Sequence, residues 1–122
     1  MADFKPSQVS GDLEVTQEVE KVLADGAVSV STGVQTTIAT FTATAGDKNV
    51  TKITGAAEFA GEYQVFKNTV LKETLYSGGG GGLNVKFVLQ NWGLAAGDII
   101  DVKYTHSYVA KTPTVYGTIW GF

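Results

Sequence analysis

An all-β sandwich is what this sequence predicts, and three observations predict it. First, Leu83, Val85, Phe87 and Leu89 alternate with Asn84, Lys86, Val88 and Gln90, and Ile100, Val102 and Tyr104 alternate with Asp101, Lys103 and Thr105. That period of two marks strands with one buried face. Second, eight strand candidates, near 27–32, 35–44, 49–58, 62–67, 70–76, 83–90, 98–106 and 114–121, recur every roughly 8–14 residues with no helical pattern between them. Third, 15 glycines, only 2 prolines and many threonines and valines suit short strands joined by tight turns. Paired strands cannot bury their apolar faces alone, so they must stack as two facing sheets, a sandwich or a jelly roll.

The 122 residues fit one such core, and 43% apolar with 17% charged content is that of a globular chain. There is no cysteine, hence no disulfide framework and no thiolate metal site. The opening residues carry no apolar run or basic leader, so no secretory signal is expected. No stretch reaches the roughly 20 apolar residues that span a bilayer, so no membrane partner is expected. All 9 basic residues are lysine and the net charge is −3, a poor match to phosphate or base edges, so nucleic-acid binding is not expected.

Residues 1–26 read differently from the rest. They hold six acids and two lysines, a net −4, against +1 for residues 27–122. Pro6, Ser7, Ser10 and Gly11 favour an extended start. Val15, Val19, Val22 and Leu23 then fall at offsets 0, 4, 7 and 8, one face of a short helix that Asp25-Gly26 would end. The same residues can lie extended along a partner. The expectation is an acidic N-terminal arm over 1–26, either packed as a tail or reaching a neighbouring subunit, and a sandwich domain over 27–122.

Within the domain, Val28 and Val30 alternate with serines, and Ala39, Phe41 and Ala43 share one face of the second strand. Residues 45–49 form a turn by composition. Ile53 points inward in the third strand, Ala60-Gly61 breaks it, and Tyr63 and Val65 alternate with Gln64 and Phe66 in the fourth. Asn68-Thr69 is a hairpin turn. The glycine run 78–82 lacks the following Lys-Ser/Thr and helix of a phosphate loop, so it is read as a surface connector that is exposed or passes close to another backbone. In the last strand, Val115, Gly117, Ile119 and Gly121 alternate with Tyr116, Thr118, Trp120 and Phe122.

The chemistry-bearing residues do not converge. His106 is the only histidine, and its neighbour Ser107 points to the other face of a strand, so no Ser-His-Asp arrangement forms. Asp98 and Asp101 also face opposite ways, and Asp98 suits a cap on the Gly97 turn. Glu58 and Glu62 flank a turn where a calcium ion fits by charge alone, without an acidic loop pattern. No catalytic residue, metal site or cofactor is assigned. The aromatic residues fill the core, anchor an interface or form a sugar-stacking platform, with Trp92 and Tyr108 on loops near one end as the platform candidates.

The segments EFAGEYQVFKNTVLKETLY, LNVKF, LAAGDIIDVKYTH and TVYGTIWGF resemble small jelly-roll proteins of bacteriophage virions. The matching positions are Gly61, Glu62, Tyr63, Leu83, Asn84, Val85, Ala96, Gly97, Asp98, Ile100, Val102, Gly117, Ile119, Gly121 and Phe122, over about residues 34–122. The resemblance implies an eight-stranded antiparallel jelly roll and a non-enzymatic component of the virion, assembled in the host cytoplasm. It implies a capsid decoration or cement protein, typically a homotrimer bound to the major capsid protein. The alternative is a fibre-tip module that binds a receptor or carbohydrate. Val15, Val19, Val22, Leu23, Trp92, Tyr108 and Trp120 are the expected interaction residues.

Overall fold

The computed structural model describes residues 20–44, 48–80 and 85–122. They form eight strands: β1 (Lys21–Ser29), β2 (Thr36–Thr42), β3 (Lys48–Ala56), β4 (Gly61–Lys67), β5 (Val70–Ser77), β6 (Val85–Leu94), β7 (Ile99–Thr105) and β8 (Thr114–Gly121). Two four-stranded sheets result, one in the order β1-β8-β3-β6 and the other β2-β7-β4-β5. Every neighbouring pair is antiparallel. Among the described residues there is no helix, so the all-β sandwich stands as expected.

The core lies between the sheets and follows the alternation in the sequence. Val50 and Ile53 of β3, Tyr63 and Val65 of β4, Ile100, Val102 and Tyr104 of β7, and Val115 and Ile119 of β8 are all fully buried. Each such valine or isoleucine stabilises the fold by about 1.5–3 kcal/mol relative to exposure. The two tyrosines form the centre. Their rings meet edge to face with centroids 4.7 Å apart. The Tyr63 hydroxyl donates to the Tyr116 carbonyl of the opposite sheet at 2.8 Å. The Tyr104 hydroxyl donates to the Phe59 carbonyl in the β3–β4 loop at 2.5 Å. Glycines make the room: a Cβ on Gly55 would sit 2.7 Å from the Tyr63 ring, and one on Gly61 2.3 Å from the Tyr104 hydroxyl.

β1 and β2 close one side of the sandwich. A Cβ on Gly26 would lie 1.9 Å from the Ile38 carbonyl oxygen, so the two edge strands touch backbone to backbone. A bulge between Thr37 and Ala39 turns Ile38 inward beside Ala39, which adds one core residue to the alternation read from the sequence.

Two expectations are corrected. The segment 21–26 is strand, not helix, and β1 begins at Lys21, so the expected boundary at residue 26 falls inside a strand. Pairing with β8 along its whole length outweighs a helical pattern that valines support poorly. Val22 and Leu23 therefore do not share a face: Val22 is 45% exposed and Leu23 packs against the core. Trp92 is the second correction. β6 continues to Leu94, so Trp92 is a strand residue opposite Val50, packed on the core, and not a loop residue.

The β4–β5 hairpin turns through Asn68 and Thr69, both with positive φ (50° and 68°), the two-residue geometry that matches strand twist. Asn68 tolerates this conformation, whereas a β-branched threonine is strained in it. Thr69→Gly relieves about 1–2 kcal/mol of strain against about 0.5–1 kcal/mol of added chain entropy, so a modest rise in melting temperature is expected by calorimetry. Tyr63→Phe removes the donor that bridges the sheets and is expected to cost about 1–3 kcal/mol in urea unfolding.

Candidate functional site

The antiparallel order sends alternate connections to opposite ends. The β1–β2, β3–β4 and β7–β8 loops and the start of the β5–β6 loop gather at one end. The β4–β5 hairpin, the β6–β7 turn, the start of β1 and the end of β8 lie at the other.

At the first end, loops are tied together around His106, which is 3% exposed. Its Nε2 lies 2.8 Å from the Val30 carbonyl, and its Nδ1 lies 3.2 Å from the Tyr108 N–H. A carbonyl only accepts and an amide N–H only donates, so the ring is neutral with its proton on Nε2. Both nitrogens serve the backbone. Val30 N–H donates to the Pro113 carbonyl at 3.0 Å and Gly33 N–H to the His106 carbonyl at 2.8 Å. The Thr32 hydroxyl donates to the Tyr108 carbonyl. Tyr108 is thus held by its main chain, with its ring 5.0 Å from that of Phe59. Across from it, Gly79 and Gly80 pass against the β3–β4 loop. A Cβ on Gly79 would lie 2.7 Å from the Glu58 carbonyl, to which Gly80 N–H donates at 2.8 Å. Here the glycine run meets another backbone closely, one of the two uses the sequence allows.

These loops and the outer face of the second sheet enclose an open cleft of ≈ 630 Å³, lined by Gly33, Ala60, Gly61, Glu62, Tyr76, Ser77, Thr105, His106, Ser107 and Tyr108. Glu62 of β4 stands directly between Tyr76 of β5 and Thr105 of β7. Tyr76 is 74% exposed, and the hydrogen bond to Glu62 raises its hydroxyl above the ordinary tyrosine pKa. Burial does the same, from inside, to Tyr63 and Tyr104.

The expected interaction residues scatter. Val15 and Val19 lie outside the described residues. Val22 and Trp120 face each other across β1 and β8 on the outer surface of the first sheet. There the Trp120 indole N–H donates to the Thr54 hydroxyl at 2.9 Å, and Lys52 Nζ sits 4.7 Å from the ring centroid. Lys52 also pairs with Glu20 at 3.0 Å, and Glu20 accepts from Thr51. Leu23 is turned to the core. Trp92 and Tyr108 are at opposite ends, so the platform expected from them does not form. Tyr76 and Glu62 went unnoticed as a pair. Only the β4–β5 register brings them together, and the one signal in the sequence is a tyrosine on the polar side of an edge strand.

A second cleft of ≈ 510 Å³ opens between β5 and β6, lined by Lys67, Lys72, Glu73, Trp92 and Gly93. Near it, Asp98 accepts from the Asn68 side chain at 3.0 Å and from Ala95 N–H at 2.9 Å, with Lys67 at 4.0 Å. Among the described residues no three His, Cys, Asp or Glu side chains come together as a metal site, and no helix is long and apolar enough to cross a membrane. No protein-family model and no curated protein matches the chain.

The hydrogen bond from Asn68, then that from Ala95, holds the Asp98 carboxyl below the usual aspartate value of 3.8. A group depressed on folding stabilises the protein above its unfolded pKa, and that contribution fades as pH falls through the folded value. Asp98→Asn is expected to flatten the acid limb of the stability curve below about pH 4, read by chemical unfolding across a pH series.

Proposed function

We propose that this chain is a structural component of a bacteriophage virion, a decoration or cement protein that binds the outer capsid shell. The strand orders β1-β8-β3-β6 and β2-β7-β4-β5 support reading the sandwich as a jelly roll, the fold its sequence resemblance implies. The observation that carries the reading is the placement of exposed apolar side chains on both outer faces. Val22 and Tyr116 are 45% and 53% exposed on the first sheet, and Leu71 and Ile99 are 47% and 37% exposed on the second. A cement protein needs two adhesive sides, one for its own copies and one for the shell.

The proposed assembly is a homotrimer whose partner is the major capsid protein. A threefold assembly joins several lattice subunits at once, so weak contacts multiply by avidity. Light scattering on the pure protein is expected to give three times the protomer mass, with about 1,600 Å² or more buried in the assembly. Co-sedimentation with undecorated capsids is expected to give saturable binding that stabilises the shell against heat. A protein that leaves the capsid fraction empty at every concentration overturns the reading.

A further inference from the structure

The geometry points to the cleft between Tyr76 and Tyr108 as a binding site for a neutral sugar, with Glu62 as its hydrogen-bonding floor. This function is separate from capsid binding and is measured on the isolated protein, so either can fail without the other.

Three features carry it. The first is the pair of tyrosines. Both line one cleft, 74% and 47% exposed, although tyrosine rings are large enough to bury well elsewhere in this core. The C–H face of a pyranose packs on such rings, and their low conformational entropy keeps the binding cost small. The second is Glu62, which stands beside Tyr76 across the β4–β5 ladder and lines the same cleft. A carboxylate accepts two hydrogen bonds side by side, the pattern that adjacent sugar hydroxyls offer. The third is preorganisation. The main chain of Tyr108 is fixed by His106 and Thr32 before any ligand arrives, which spares the ordering that weakens binding on mobile loops.

The lining also selects. It contains one carboxylate and no lysine, so sulfated, phosphorylated or sialylated ligands meet repulsion with no compensating cation. Gly33 leaves part of the wall without a side chain. Gly33 has open space where a Cβ would stand, which suits a flat ring lying along the wall. Two tyrosines and a glutamate also suit a quaternary ammonium, but that ligand favours an enclosing cage. This cleft is open on one side, along the outer surface of β4 and β5.

The test starts with the labelled protein on an array of neutral and acidic glycans. Amide-resolved NMR titration follows with glucose, galactose, N-acetylglucosamine and choline chloride. At least one neutral glycan is expected to bind, with millimolar affinity for its monosaccharide and shifts at Gly33, Gly61, Tyr76, Ser107 and Tyr108. Tyr76→Ala and Glu62→Gln, both on the surface, are each expected to weaken binding by roughly tenfold with the melting temperature unchanged. Tyr76→Phe, which keeps the ring, is expected to retain most of it. An array without neutral hits, shifts mapping elsewhere, preference for choline or acidic glycans, or full binding by Tyr76→Ala overturns the assignment.

Discussion

The fold depends on one side chain that crosses the interior. Tyr63 is rooted in β4 of one sheet and hydrogen-bonds to the backbone of β8 in the other. That contact fixes how far apart the sheets can stand. It also dictates Gly55 beneath the ring, because a native interior has no room for even one extra methyl. Tyr104 meets the same ring edge to face and carries the constraint to the β3–β4 loop through Phe59. The core is thereby tied at its centre to the loop that lines the cleft.

Much of this frame was legible in the sequence. Alternation at Ile100, Val102 and Tyr104 marked a buried face, because one buried face imposes a period of two; at Tyr63 and Val65, and at Val115 and Ile119, it marked a shared face that the structure turns to the core. The turns at Asn68-Thr69 and before Asp98 were legible because their chemistry is local. The helix expected around Val22 failed for the opposite reason. A period of 3.6 over a few valines is a weak local preference, and the non-local ladder to β8 overrode it. The bulge at Ile38 was hidden because nothing local distinguishes an extra residue from one in register.

The site was far less legible than the fold. Trp92 was expected on a loop as a platform aromatic, yet the strand ran on and folded it against the core. Tyr76 and Glu62 lie 14 positions apart and meet only through the hairpin register. His106 follows directly on β7, at the strand end where the sequence puts it. Its use of both ring nitrogens to fasten the β7–β8 loop to itself and to the β1–β2 loop was beyond any single-sequence signal.

Glu20 reaches over β8 to Thr51 and Lys52, and Phe122 exchanges hydrogen bonds with Asn49 at 2.9 and 3.0 Å. Both attachments lie at the end of the sandwich opposite Tyr108. Anything anchoring the domain through the polypeptide upstream of Glu20, or through a graft after Phe122, would grip it by the root. The tyrosine-walled hollow would then point outward, toward whatever the larger body encounters.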